Sequence, residues 1–224
     1  MKKVAFSVLV ATFLIEASSA QAGTLTFIDS IPMQDIEWGD EEPLTLEVPK
    51  YNRRETLLSI FVEVSSDVMG TYTLTSNRRS GNIRYGNRND AVGALVEVSG
   101  ASNSIFFDPT PIQNIGAGTL RPRQSITLAI AGSDTKNALV DNSSFNFFTG
   151  RGKVLFNASA LNNVDVSILG AGFSQSFDLQ ADARLQVIYT YQDAPPRSIP
   201  EPGTFVGLLA FAGLGLAANR RRAS

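Results

Sequence analysis

The chain has 224 residues, with 19 basic and 21 acidic side chains, no cysteine and no histidine. Those two absences exclude thiolate nucleophiles and disulfide staples, and with them the Ser-His and Cys-His systems and the commonest zinc and iron ligand. An excess of acid over base lacks the basic footprint of a general nucleic-acid binder.

Lys2 and Lys3 precede an apolar run from Val4 to Ile15, and Ala20-Gln21-Ala22 supplies a small-x-small site. A basic start, a short apolar centre and a small-residue site define a secretory signal peptide over 1–22. Cleavage by signal peptidase after Ala22 makes Gly23 the new N-terminus.

From residue 23 the pattern has period two. Leu25 and Phe27 alternate with Thr24 and Thr26, and Leu44, Leu46 and Val48 with Thr45 and Glu47. Leu58, Ile60, Val62 and Val64 share a face, and Tyr72 and Leu74 sit among threonines. Ile126, Leu128 and Ile130, then Val164, Val166 and Ile168, then Leu185, Val187, Tyr189 and Tyr191 continue the pattern, with further strands near 92–98 and 153–159. Alternation of this kind sets one face on a core and one in water. The expected fold class is all-β: an antiparallel β-sandwich or jelly-roll-like domain of about nine or ten short strands over 23–192. Thr135 to Val140 is the nearest approach to a helical stripe and is too short to matter.

Three stretches of this body could carry a ligand. Asp35, Glu37, Asp40, Glu41 and Glu42 surround Trp38, the only tryptophan. Carboxylates on a loop suit calcium, and Trp38 could stack on a sugar ring, so Trp38, Asp40 and Glu41 are candidate ligand residues. The plainer reading is a solvated acidic loop with Trp38 in the core. Arg78, Arg79, Arg84 and Arg88 surround Tyr85. Arg84 and Tyr85 are candidates for an anion site facing uronic acids or phosphates of a surface polysaccharide, against the alternative of an exposed hairpin loop. Paired carboxylates could in principle serve a histidine-free glycosidase, but any acid-rich body offers such pairs. No catalytic residue, resident metal or cofactor is assigned, and the expectation is a protein that is not an enzyme.

Residues 193–199 are proline-rich and read as an extended linker. Pro200-Glu201-Pro202 follows, then an apolar run from Phe205 to Ala218, then Arg220, Arg221 and Arg222. As a helix the run spans about 21 Å, short of the ~30 Å hydrocarbon core, so it is a marginal span. The arginines would stay cytoplasmic, which leaves the body outside the inner membrane. Without the two ends the chain keeps 14 basic against 19 acidic residues, net −5.

The order Pro-Glu-Pro, short apolar helix, arginine cluster resembles the PEP-CTERM sorting tail of Gram-negative bacteria. The resemblance covers 200–224 and implies recognition by an exosortase, transient insertion in the inner membrane and delivery to the cell surface or extracellular matrix. Pro200, Glu201 and Pro202 would then be the recognition residues and Arg220 to Arg222 the retention residues. The stretches TLTFIDSIPMQDIEW, FFTGRGKVLF and ARLQVIYTYQ are similar to choice-anchor E domains, which would cover most of 23–192. That resemblance implies no activity for particular residues. The expectation is therefore an exported structural or interaction protein, with a carbohydrate-binding surface module as the alternative.

Overall fold

The computed structural model describes residues 22–38, 43–100 and 105–192. Twelve strands run through these residues: β1 (Ala22–Asp35), β2 (Leu44–Pro49), β3 (Thr56–Ser76), β4 (Ile83–Tyr85), β5 (Ala91–Gly100), β6 (Phe106–Phe107), β7 (Ile112–Asn114), β8 (Gly118–Leu120), β9 (Ser125–Leu139), β10 (Lys153–Asp165), β11 (Ile168–Leu169) and β12 (Phe173–Gln192). One turn of helix, α1 (Phe145–Phe148), precedes β10. No helix among the described residues is long and apolar enough to cross a membrane. The expected signal peptide, linker and sorting tail lie outside the described residues, apart from Ala22.

The described residues are mostly strand, and the ladders β2–β10, β10–β5, β5–β6, β5–β7, β3–β9, β4–β8 and β4–β11 are antiparallel. One sheet has the order β1-β12-β3-β9 and a second the order β2-β10-β5-β6, with β7 also on β5. Their inner faces form one core. Ile60, Val62, Val64, Val68, Tyr72 and Leu74 of β3 and alternate residues of β12 from Leu179 to Tyr191 face Val92, Ala94, Val96 and Val98 of β5 and Val154 to Ala160 of β10. A period of two over long strands produces this sandwich-like arrangement, since each strand buries one face and hydrates the other.

Three local expectations are corrected, and a fourth stretch, 135–140, is defined more closely. The segments 58–65 and 71–75 belong to one 21-residue strand. The glycine between them, Gly70, has φ +146, and a Cβ there would lie 2.0 Å from the Asp178 carbonyl oxygen. It lets β12 approach rather than ending β3. The stretch 135–140 is strand as far as Leu139, because it pairs with β3 through Phe61↔Leu139. The run 164–168 is broken: β10 ends at Asp165, and Ser167 leaves the ladder to bond Asp90. The arginine-rich stretch contains a strand, β4, rather than a loop throughout.

The compact unit Gly23–Tyr191 has two distinct ends. At one, Tyr189 donates to the Pro49 carbonyl (2.9 Å) and is ringed by Phe27, Tyr51 and Phe148 at 5.7–6.5 Å between centroids. Burial pushes its phenol above the usual tyrosine range. Gly23 also sits here, because a Cβ on it would be 2.6 Å from the Tyr191 ring. Ile36 N donates to the Leu179 carbonyl at the far end of the same pair, so β1 and β12 run antiparallel. The two ends of this unit therefore lie side by side. Arg53 braces them, donating to the Tyr191 hydroxyl (2.9 Å) with its guanidinium 5.1 Å from that ring's centroid. From this end β3 runs roughly 65 Å of strand, at ~3.3 Å per residue, to a third, small sheet of order β11-β4-β8.

Candidate functional site

The small sheet caps the end opposite the chain ends. Its centre is β4, paired to β8 through Ile83↔Leu120, Arg84↔Thr119 and Tyr85↔Gly118, and to β11 through Ile168↔Tyr85 and Leu169↔Arg84. Alternation along β4 sends Ile83 and Tyr85 into the core and Arg84 into solvent. Arg84 and Tyr85, proposed together from sequence as an anion site, therefore face opposite ways. Tyr85 is a packing residue, seated against Gly118, where a Cβ would lie 2.2 Å from its hydroxyl oxygen.

Asp90 is buried beneath this sheet, with one carboxylate oxygen accepting from Ser167 N (2.5 Å) and the other from Ser167 Oγ (3.1 Å). A buried carboxylate needs such donors, and here they tie the β10–β11 connection to the β4 segment. Tyr72 is buried nearby and donates to Gln175 Oε1 (3.0 Å). Its phenol is pushed up to about 12, by burial first and then by the charges of Asp90 and Tyr85.

The arginines remain outside. Arg79, Arg84 and Arg88 are exposed and Arg78 is half-buried, its Nη1 donating to the Asn82 carbonyl (3.0 Å). Two more arginines join them that the sequence reading passed over. Arg121 and Arg123 follow β8 directly, and the β4–β8 register brings them beside the Asn77–Asn82 turn. They flank Pro122 in a turn closed by Gln124 N to the Arg121 carbonyl (3.1 Å). Arg123 has φ +62, one of two non-glycine residues with positive φ among the described residues, the other being Glu37. Pro at the second position and positive φ at the third is the type II pattern, which favours glycine where arginine stands. Only that turn signature, Arg-Pro-Arg between the short β8 and the long β9, could have flagged these residues from sequence.

The acidic stretch resolves differently. Trp38 is 8% exposed, its carbonyl accepts from Ala160 N, and its indole N–H has no partner. It belongs to the core and offers no face to a sugar. Asp40 and Glu41 lie outside the described residues. Asp35 accepts from Gln180 Nε2 (2.8 Å) and Glu37 from Asn162 Nδ2 (3.1 Å), beside Asp178 in a cleft of about 230 Å³. Among the described residues no three His, Cys, Asp or Glu side chains stand together as a metal site. On the outer face of the long sheet, Asp182 accepts from Asp67 N (2.7 Å), and burial together with the Asp67 charge raises its carboxyl above the usual range.

Of the export residues, Ala22 opens β1 as an exposed residue and Gly23 is half-buried against Tyr191. Ala20, Pro200, Glu201, Pro202 and Arg220 to Arg222 lie outside the described residues.

Comparison with known proteins locates one family feature. Residues 198–222 match the PEP-CTERM protein-sorting motif. The chain thus carries the signal of an exosortase-targeted, exported surface protein. No curated protein is significantly similar to the chain. Among solved structures, the T13 viral particle of infectious bursal disease virus shares 8% identity over 95% of this chain and 51% of the other, at a TM-score of 0.19. The Gx strain of that virus gives 8%, 84%, 42% and 0.17, and the Gt strain 10%, 95%, 53% and 0.14. This chain spans about half the length of those structures, and TM-scores this low describe no shared fold.

Proposed function

We propose that the chain is the precursor of a non-catalytic structural or interaction protein of the cell surface or extracellular matrix. In this reading the signal peptide starts export, the tail parks the protein in the inner membrane, and an exosortase removes or exchanges the tail. The observation that carries it is the sorting motif at 198–222, placed behind a domain whose two ends emerge together. Gly23 lies against Tyr191, so the first and last residues of the folded unit sit together at one end of the sandwich. Arg53, bonded to the Tyr191 hydroxyl, fixes the last strand at that end.

The test is fractionation of the native host expressing the full chain, Pro202→Ala, or Arg220→Gln/Arg221→Gln/Arg222→Gln. The wild type should appear at the surface with its tail removed, and both variants should accumulate as uncut membrane-associated species. Unchanged processing of both variants would refute the assignment. A carbohydrate-binding role is the second reading, favoured by the arginine-bearing end of the domain.

A further inference from the structure

We propose that the end of the domain opposite its chain termini binds an acidic, carboxylate-bearing polysaccharide through Arg78, Arg79, Arg84, Arg88, Arg121 and Arg123. The inference rests on the surface-protein reading, because there this end faces away from the membrane.

Charge is segregated along the domain. The segments 77–90, 116–124 and 166–172 form this end, and their charged residues are those six arginines and Asp90. Their net charge is +5, which leaves −10 for the rest of residues 23–199. Asp90 is 1% exposed and occupied by Ser167, and Asp165 closes β10 just before the third segment. The ion pairs found among the described residues, Lys136 with Asp134 and Lys153 with Glu47, include none of the six. An uncompensated cluster of like charges costs stability, and Arg123 adds a backbone conformation that arginine adopts with strain. Two costs at one exposed place, with no acidic partner among the described residues to offset them, mark the place as kept for an external anion.

The surroundings select the anion. Guanidinium groups pair with carboxylates through two parallel N–H···O bonds. Between the arginines stand the exposed amides of Asn77, Asn82 and Asn89, each able to donate to and accept from sugar hydroxyls. Leu169, 69% exposed and opposite Arg84 in the ladder, offers an apolar contact to a ring's C–H face. Nucleic acid fits less well. The one aromatic residue in these segments, Tyr85, is buried, so no platform for base stacking exists there. A −10 body also repels a polymer of high charge density. One exposed leucine is too little apolar surface for insertion into an anionic membrane.

The experiment measures binding of the full-length protein, purified in mild detergent, to polygalacturonate, dextran, a DNA duplex and phosphatidylglycerol vesicles. Polygalacturonate should bind and dextran should not. Arg84→Gln/Arg121→Gln/Arg123→Gln should weaken polygalacturonate binding by at least about tenfold, near 1.4 kcal/mol, with its melting temperature retained. Lys50→Gln/Arg54→Gln/Arg151→Gln, an equal charge change on residues near the other end, should leave binding within about twofold. Equal loss in both triple variants, or tighter binding of DNA or vesicles than of polygalacturonate, would overturn the proposal. This assay needs no export, so its failure is separate from a failure of surface delivery, which fractionation reads.

Discussion

Arg123→Gly should make the protein more stable while weakening its tip as an anion site. At φ +62 an L-residue pays about 1–2 kcal/mol for the approach of Cβ to the following carbonyl. Glycine avoids that clash but gives up about 0.5–1 kcal/mol of extra chain entropy on folding. The net gain lies between about 0 and 1.5 kcal/mol, about 0.75 kcal/mol at the centre. For a unit spanning Gly23–Tyr191, that is a rise in Tm of about 1–4 °C. Loss of the charge would itself relieve repulsion among the arginines, so Arg123→Gln is the comparator: it removes the charge and keeps the strain. Thermal melts of the three proteins separate the two effects. Arg123→Gly should exceed Arg123→Gln in Tm, and both should bind polygalacturonate more weakly than the wild type. If Arg123→Gly is no more stable than Arg123→Gln, the turn holds arginine without strain, and one of the two costs assigned to the tip disappears.

Other expected outcomes follow from the same geometry. Gly70→Ala should cost about 3 kcal/mol or more in denaturant unfolding, because its Cβ would meet the β12 backbone at 2.0 Å and no side chain can yield; a cost under about 1 kcal/mol would mean that the β3–β12 contact is looser than described. Asp182→Asn keeps an acceptor for Asp67 N and removes a like charge, so it should stabilise the fold at pH 7 by about 0.2–1 kcal/mol. Because the folded carboxyl titrates above its ordinary value of 3.8, the wild-type penalty fades as pH falls through that raised value. The advantage of the variant should therefore vanish in acid melts; an advantage that persists there would have another cause. Tyr72, with its phenol raised from 10.0 to about 12, favours the unfolded state as pH climbs through that window. Tyr72→Phe should flatten the loss of stability between pH 10 and 12, as read by denaturant midpoints. Trp38, being buried, should emit as an apolar tryptophan, and neither calcium nor dextran should shift its fluorescence; a calcium-dependent shift would return the acidic stretch to consideration as a site.

The strands were legible because burial on one face of a long strand writes itself as alternation. Leu46 and Val48, Ile60, Val62 and Val64, and Leu185, Val187, Tyr189 and Tyr191 are core for the reason their spacing indicates, whereas Leu44 at the start of β2 is exposed. Strand continuity was not legible. Gly70 looks like a breaker in sequence, and only the approach of Asp178 shows why it stands inside β3. The same holds for 135–140, whose polar residues take strand geometry from pairing with β3 rather than from propensity. At the tip, the arginines of 78–88 are conspicuous in sequence, but their grouping with Arg121 and Arg123 depends on β4–β8 pairing between segments more than thirty residues apart. An aromatic among charges also invites reading as a ligand platform, yet Tyr85 is buried, and Trp38 is buried as its plainer reading had it. The sorting motif at 198–222 was readable from order alone, since Pro-Glu-Pro, an apolar run and an arginine cluster form a linear pattern.

The central claim is delivery of this sandwich to the cell surface by processing at both ends. It is tested most directly by the intact mass of the protein recovered from the surface and medium of its native host, beside that from membranes. A surface species beginning at Gly23 and ending near Pro200 is the predicted result. A protein found only in membranes, with Phe205 to Ser224 still attached, would contradict it and make the tail a permanent anchor.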